Sequence, residues 1–74
     1  MNIIRKISIG QEYKDNAMHY SVGQKVYGEH VISNILYDNY DNSYVVYIEK
    51  DKENIMWKRF NCNMAIAIEY NINF

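Results

Sequence analysis

Two histidines and one cysteine are the side chains whose types could support acid–base, nucleophilic or metal chemistry in this sequence. His19 and His30 lie 11 residues apart, with no cysteine, aspartate or further histidine at a spacing typical of metal ligands. Cys62 lies between two asparagines, whereas a nucleophilic cysteine needs an oriented base and an oxyanion hole. The sequence therefore predicts hydrogen-bonded or surface histidines, an inert thiol, and no catalytic, metal or cofactor site.

A second cluster of polar side chains could in principle bind calcium. Asp38 and Asp41 alternate with Asn39 and Asn42 over a short stretch. An EF-hand loop also requires a glycine and a distant glutamate, and neither is in place here. Since Asp and Asn favour the tight turns that join strands, this stretch is predicted to be the tip of a hairpin.

Tyrosine is the most conspicuous residue type, with 8 in a chain of 74 residues. A chain this short has too little interior to bury them all. Tyrosine combines a large apolar body with a polar tip and therefore suits protein interfaces. Its ring also stacks on the bases of single-stranded nucleic acid, and Lys25, Lys58 and Arg59 would supply positive charge for such a groove. The third interpretation is that the tyrosines rim the core.

Trp57 lies in the middle of a predicted strand, beside Lys58 and Arg59, where it is predicted to anchor the core if buried and to lead a binding hot spot if exposed. The residues predicted to contact a partner are Tyr40, Tyr44, Tyr47, Trp57, Lys58, Arg59, Ile72 and Phe74.

Alternation of apolar and polar residues with a period of two predicts a chain of strands. The central strand is expected to be Tyr44–Glu49, which is apolar on both faces, so one face is available to a partner. The polar stretch Gly10–Ala17 is expected to be a loop. The predicted strands are Ile3–Ile9, a short strand after Gly23, Glu29–Tyr37, Tyr44–Glu49, Ile55–Phe60 and Met64–Phe74.

The last four of these strands are expected to form a continuous meander, with Ile3–Ile9 joining its end. The alternation also predicts which side chains share a face. One face of the final strand would carry Met64, Ile66, Ile68, Tyr70, Ile72 and Phe74; one face of the first would carry Ile3, Ile7 and Ile9; Val31, Ser33, Ile35 and Tyr37 would oppose Ile32 and Leu36. Deleting Asn71–Phe74 is expected to weaken association more than folding.

The segment Tyr20–Gly28 contains a glycine turn that leads into a short strand. Its Ser-Val-Gly-Gln-Lys-Val stretch, residues 21–26, resembles the opening of SH3-like, Tudor and KOW modules, where an apolar-x-Gly-Asp/Gln-x-Val segment precedes a meander of strands. The resemblance extends over about residues 20–60. It implies an all-β fold in which five or six antiparallel strands curl into a small barrel.

The length and charge of the chain limit the classes of protein to which it can belong. A chain of 74 residues is expected to form one domain, residues 1–74, and its single cysteine allows no internal disulfide. Eight basic against nine acidic residues give no footprint of a nonspecific nucleic-acid binder. No apolar run approaches the length of a membrane span, and the first residues do not form a signal peptide. The expected location is the cytoplasm.

The chain is rich in Asn, Ile, Lys and Tyr, as AT-rich genes encode, and has no proline. In this it resembles small accessory proteins of tailed bacteriophages, including T-even-like phages, which commonly bind and redirect host proteins. The resemblance implies a non-enzymatic protein-binding module that occludes a host transcription or defence factor in the host cytoplasm. The alternatives are a nucleic-acid or nucleotide binder that uses aromatic stacking, and a structural homo-oligomer or virion subunit.

Overall fold

The computed structural model describes residues 3–11 and 14–71, and most of these residues lie in β-strands. The prediction of an all-β chain is confirmed; the described ranges hold no α-helix, and no helix long and apolar enough to cross a membrane. The strands are β1 (Ile3–Gln11), β2 (Lys14–Ser21), β3 (Lys25–Val26), β4 (His30–Asp38), β5 (Ser43–Glu49), β6 (Ile55–Asn61) and β7 (Ala65–Asn71), with a 3-10 turn at Cys62–Met64.

These strands form two curled antiparallel sheets, one of them a half-barrel. Sheet A has the order β2-β1-β7, and sheet B has the order β3-β4-β5-β6. The predicted pairing of the first strand with the last is confirmed, but the continuous four-strand meander is wrong. After β6 the chain crosses to sheet A through the 3-10 turn, where the Asn61 side chain accepts a hydrogen bond from the Asn63 N–H.

The core lies between the inner faces of the two sheets and consists mainly of β-branched residues. Isoleucine and valine suit this position because they pack well on pleated surfaces. The Tyr20 ring of sheet A lies 5.4 Å from the Phe60 ring of sheet B, and burial raises the pKa of the Tyr20 hydroxyl. The buried core residues are Ile4, Ile7, Ile9, Tyr20, Ile32, Ile35, Val46 and Ile48.

Register shifts in β1 change which side chains are buried. The pairing of β1 with β7 shifts between Ile4 and Lys6, and the buried residues are Ile4, Ile7 and Ile9. The predicted face, which contained Ile3, is therefore wrong at its first position, where Ile3 is exposed. A β-bulge inserts an extra residue and so reverses the alternation on one side of it.

The same effect operates in β4. Its pairing with β5 shifts between Ile32 and Asn34, and both Ile32 and Ile35 belong to the core cluster although they lie three residues apart. The prediction that these two isoleucines point to opposite faces is therefore wrong.

The final strand is shorter and less regular than its pattern predicts. Ala65 and Ile68 pack against the core, whereas Ile66, at a register shift, is 63% exposed. Met64 belongs to the preceding turn rather than to the strand. Ile72 and Phe74 lie outside the described residues. The effect of deleting Asn71–Phe74 therefore stays a prediction.

The predicted loop Gly10–Ala17 is also corrected. β2 begins at Lys14, and Gln11 of β1 pairs with Lys14. Residues 14–17 are mostly polar in sequence, yet they belong to β2, which pairs with β1 as an edge strand of sheet A. Alternation detects a half-buried strand, and this part of β2 offers too few apolar residues for detection.

Candidate functional site

Sheet B has a second face, which points away from the core. Cross-strand pairing sets Leu36 beside Val45 and Val45 beside Arg59, and in the next row sets Tyr47 beside Trp57. Because side chains alternate across a strand, these residues lie opposite to the core residues Val46 and Ile48. The outer face, as the term is used below, consists of Leu36, Asp38, Asp41, Val45, Tyr47, Glu49, Ile55, Trp57 and Arg59.

The centre of the outer face is apolar and largely open. Trp57 is 59% exposed and Ile55 is 50% exposed, and Leu36 is also exposed. Between the flanking strands Val45 is only 4% exposed, although it does not belong to the core cluster. Contiguous apolar patches on a folded chain commonly mark interaction sites, whereas single exposed apolar residues do not.

A shallow groove of about 400 Å³ runs along this face. Leu36, Tyr47 and Ile55 supply its apolar wall, Ser33 and Asn34 supply polar edges, and Glu49 supplies its one charge. Within the described ranges no ion pair involves Glu49. A bound group would therefore meet a carboxylate beside an apolar surface.

Arg59 connects the apolar centre to one end of the face. Its Nη1 donates hydrogen bonds to Asp38 at 2.6 Å, Asp41 at 3.1 Å and the Ser43 hydroxyl at 2.8 Å. The same guanidinium lies over the Trp57 ring, 5.5 Å from its centroid, at a distance suited to a cation–π contact. The network holds both Arg59 and the indole in place.

Charge on the outer face is negative overall. Asp38 and Asp41 lie at the end where β4 turns into β5, and Glu49 lies at the opposite end of β5. Against these three acids the face carries one base, Arg59. With a rise of about 3.3 Å per residue, the two acidic ends are ~20 Å apart, with the apolar residues between them.

The ion pair of Arg59 with Asp38 predicts a pH dependence of stability. The hydrogen bond from Arg59, followed by that from the Tyr40 N–H, lowers the pKa of Asp38 below its usual range. Because the folded-state pKa is depressed, this contribution is present above the unfolded-state pKa and is lost as the pH falls through the folded-state pKa. Asp38→Asn is therefore expected to reduce stability near pH 7, and its difference from the wild type should vanish at low pH. Denaturant midpoints between pH 7 and pH 2 would measure this.

A salt series separates this ion pair from ordinary turn hydrogen bonds. The pKa of Asp51 is also lowered, mainly by a hydrogen bond from the neutral Asn54 side chain and then by the Glu53 N–H. Salt screens the attraction between charges far more than a neutral hydrogen bond. The effect of Asp38→Asn should shrink in 1 M sodium chloride while that of Asp51→Asn persists. An equal salt response in both variants would contradict this account.

The predicted contact residues divide between several places. Tyr47, Trp57 and Arg59 lie together on the outer face, and the exposure of Trp57 makes it a hot-spot candidate rather than a core anchor. Tyr40 is 98% exposed in the turn between β4 and β5. The structure therefore brings together three of the eight predicted residues; Ile72 and Phe74 lie outside the described ones.

Tyr44 and Lys58 are not on the outer face, which corrects their grouping with Trp57. Tyr44 is partly buried against the core, and burial raises the pKa of its hydroxyl. Lys58 is opposite Val46 in the ladder, and its Nζ lies 5.2 Å from the centroid of the Tyr27 ring. Side-chain hydrogen bonding with Tyr27 raises the pKa of Lys58. Neighbouring residues in a strand point to opposite faces, so Lys58 and Arg59 cannot form one basic patch.

Three tyrosines gather at a cleft between the sheets. Tyr37 and Tyr44 have ring centroids 5.0 Å apart, and Tyr70 lines the same cleft of about 740 Å³. No lysine or arginine is among the described residues that line it. An aromatic platform without a cation lacks the phosphate contact on which single-strand binding depends.

Ser8 and His19 form a contact that sequence reasoning did not predict. Ser8 Oγ and His19 Nδ1 are hydrogen-bonded at 2.7 Å across β1 and β2. A serine nucleophile also needs a group that orients the imidazole and donors for an oxyanion. In the described part of the chain no carboxylate bonds to His19. The Ser8–His19 pair is therefore a cross-strand hydrogen bond that joins β1 to β2.

The other sequence candidates do not assemble into a site either. His30 Nδ1 lies 3.3 Å from the Tyr27 carbonyl oxygen, and Cys62 is a free, partly buried thiol in the 3-10 turn. Asp38 and Asp41 bind Arg59 instead of forming a cation loop. Over residues 3–11 and 14–71 no group of three or more His, Cys, Asp or Glu is arranged to hold a metal ion.

Leu36, Ile55 and Glu49 belong to the outer face but were not predicted as contact residues. The usable signal was the apolar character of both faces of β5, which implies cover on both sides. Comparisons with protein-family models, with curated proteins and with solved structures gave no match. The geometry of the outer face therefore carries the functional argument.

Proposed function

We propose that this chain is a non-enzymatic protein-binding module that docks a partner on the outer face. One observation carries the proposal: Trp57 and Ile55 are exposed side by side with Tyr47 and Leu36 on the side of sheet B that does not cover the core. Tryptophan and tyrosine dominate binding hot spots because they bury a large area with few rotatable bonds.

The negative charge of the outer face favours a protein over a nucleic acid as the partner. Three carboxylates against one guanidinium repel phosphates, and Arg59 already bonds to two of those carboxylates. Basic groups of a protein partner would instead meet Asp38 and Asp41 at one end and Glu49 at the other. An apolar surface flanked by lysine or arginine is therefore the complementary partner.

The resemblance to phage accessory proteins supports a more specific form of this proposal. The partner would be a host protein in the cytoplasm of a bacterium, and the module would inhibit or redirect it by covering its surface. The SH3-like barrel remains the proposed fold relationship, supported by the curled antiparallel sheets, one of which is a half-barrel.

Capture experiments with matched variants test the proposal. Ile55 on the outer face and Ile66 on β7 are both exposed isoleucines in strands, so Ile55→Lys and Ile66→Lys introduce the same charge at comparable exposure. Immobilised wild type and Ile66→Lys are expected to retain the same stoichiometric protein from bacterial lysate, and Ile55→Lys is expected to lose it.

Two outcomes would count against the proposal. If all three proteins retain the same partner, the contact lies elsewhere on the molecule. If light scattering shows a dimer that Ile55→Lys dissociates, the outer face joins copies of this chain, as the homo-oligomer alternative requires.

A further inference from the structure

A cleft lies between the two sheets, at the end of sheet B where β4 turns into β5. Its volume is about 740 Å³, within the range of about 300–1,000 Å³ that is typical of pockets for small molecules. The tyrosine cleft, as it is called below, is lined by Ile3, Ile4, Leu36, Tyr37, Asn39, Tyr44 and Tyr70. Of these residues only Leu36 also belongs to the outer face.

The walls of the tyrosine cleft are apolar and open to solvent. Four of its large apolar or aromatic side chains remain between 38% and 45% exposed. Ile4 belongs to the core cluster and Tyr44 packs against it, so these two residues close the cleft on its inner side. A ligand would therefore cover apolar surface that the fold itself leaves in water. The four exposed side chains are Ile3, Leu36, Tyr37 and Tyr70.

Two of the tyrosine rings are held in place by contacts within the chain. The Tyr37 hydroxyl donates a hydrogen bond to Asn42 Oδ1 at 3.0 Å, and its ring packs against that of Tyr44 with centroids 5.0 Å apart and planes tilted by 54°. Burial, followed by the neighbouring hydroxyls of Tyr70 and Tyr37, raises the pKa of Tyr44, which therefore stays protonated at neutral pH. Rings that are already in place lose little side-chain entropy when a ligand binds.

Three polar groups of the cleft are available to a ligand. In the described part of the chain, the Tyr44 and Tyr70 hydroxyls and the Asn39 side-chain amide make no hydrogen bond. Hydroxyl and amide groups can each donate and accept hydrogen bonds. A ligand with polar groups on its ring would bond to them, whereas a hydrocarbon would displace their water without replacing its hydrogen bonds.

The charge of the cleft limits the class of ligand. None of the described residues that line it is lysine, arginine, aspartate or glutamate. Asp38 lies between Tyr37 and Asn39 in the sequence, but its carboxylate is bound to Arg59 on the outer face. A charged ligand would lose hydration in the cleft without gaining a counter-charge. The ligand that fits is therefore uncharged.

A cation bound by the aromatic rings alone also fits this cleft less well. A cation–π site places the cation over the faces of the rings that bind it. The rings of Tyr37 and Tyr44 pack against each other, so each offers a guest at most one face. One face or one edge is sufficient for an aromatic guest, because aromatic rings pair in offset-stacked and edge-to-face arrangements.

From these observations we infer that the tyrosine cleft binds an uncharged small molecule whose aromatic ring carries hydrogen-bonding groups, as the base of a nucleoside does. The ring packs on the tyrosines, and its polar edge bonds to the Tyr44 and Tyr70 hydroxyls and the Asn39 amide. This binding goes beyond the proposed function and does not depend on the outer face.

Titration with adenosine tests the inference. Adenosine is uncharged at neutral pH, and its ring both donates and accepts hydrogen bonds. In proton–carbon correlation spectra of the aromatic side chains, the signals of Tyr37, Tyr44 and Tyr70 are expected to shift through the ring current of the bound base, while that of Trp57 stays in place. Adenosine monophosphate should bind no more tightly than adenosine, because the described lining holds no cation for the phosphate.

Two matched variants locate the binding site. Tyr70→Ala removes an exposed ring of the cleft and is expected to weaken adenosine binding about tenfold, as the loss of one stacking contact does. Tyr47→Ala deletes the same atoms from a strand residue of the outer face and should leave the Kd within about twofold of the wild type. If Tyr70→Ala does not fold, Asn39→Ala in the exposed turn is the second test, with binding about fivefold weaker.

Three results would overturn the inference. Absence of any shift at about 5 mM adenosine would exclude even a millimolar Kd. Shifts confined to Tyr47 and Trp57 would place the ligand in the groove of the outer face instead. Tighter binding of adenosine monophosphate, choline or cyclohexanol than of adenosine would assign the cleft to a phosphate, a cation or an aliphatic group.

Discussion

Replacing Ile7 with alanine is expected to lower the free energy of unfolding by about 2–5 kcal/mol. Ile7 is fully buried in β1, where it pairs with Tyr20 on one side and Ile68 on the other. The substitution removes three carbon atoms and leaves a cavity that neighbouring strands cannot close without losing hydrogen bonds. Since a core of this size supplies only about 3–5 kcal/mol of net stability, much of the protein should be unfolded at 37 °C.

Ile55→Ala is the matched control for this experiment. It deletes the same atoms from a residue that is half exposed on the outer face, so it should change the free energy of unfolding by less than about 1 kcal/mol. Chemical denaturation followed by circular dichroism measures both variants. Equal losses of stability would mean that the outer face belongs to the core and is not free for a partner.

Replacing Trp57 with alanine is expected to weaken partner binding by about thirtyfold or more, equivalent to ~2 kcal/mol. The indole is the largest exposed apolar side chain of the outer face, and the Arg59 guanidinium already holds it in place. Binding therefore costs little side-chain entropy and buries a large apolar area. Isothermal titration calorimetry with the captured partner measures the change.

Tyr40→Ala provides the control for Trp57. Tyr40 is almost fully exposed in the β4–β5 turn, and its N–H bonds to the Asp38 carboxylate while its ring projects into solvent. Its loss should change the Kd by less than about threefold. If Tyr40→Ala proved the more damaging variant, the partner would bind at the turn rather than across the sheet.

Several elements follow directly from local sequence. β5 and β6 were predicted within one residue at each end, because Tyr44–Ile48 is uniformly β-branched or aromatic and polar turns bound both strands. The hairpin turn at Asp38–Asn42 followed from turn chemistry, and Asn42 adopts the positive φ of 49° that asparagine tolerates.

Other features depended on contacts between distant parts of the chain. The alternation in β1, β4 and β7 is correct between bulges and fails across them, because a bulge is set by the partner strand rather than by the bulged residues. β2 was missed for a related reason: its hydrogen bonds come from β1, and its polar residues carry no local signal.

The candidate site also depends partly on local sequence and partly on contacts between distant parts of the chain. The sequence alone predicts that the chain is all-β, that β5 is largely apolar on both faces, and that Ile55, Trp57 and Arg59 alternate onto one face of β6. The pairing of β5 with β6 brings Tyr47 beside Trp57, and the packing of the two sheets leaves this face of sheet B open, because sheet A covers the other face, where the core isoleucines lie. The tertiary structure also determines that the chain crosses after β6 to the other sheet, where β7 pairs with β1. A local pattern specifies which way a side chain points, whereas burial depends on what the rest of the chain places there.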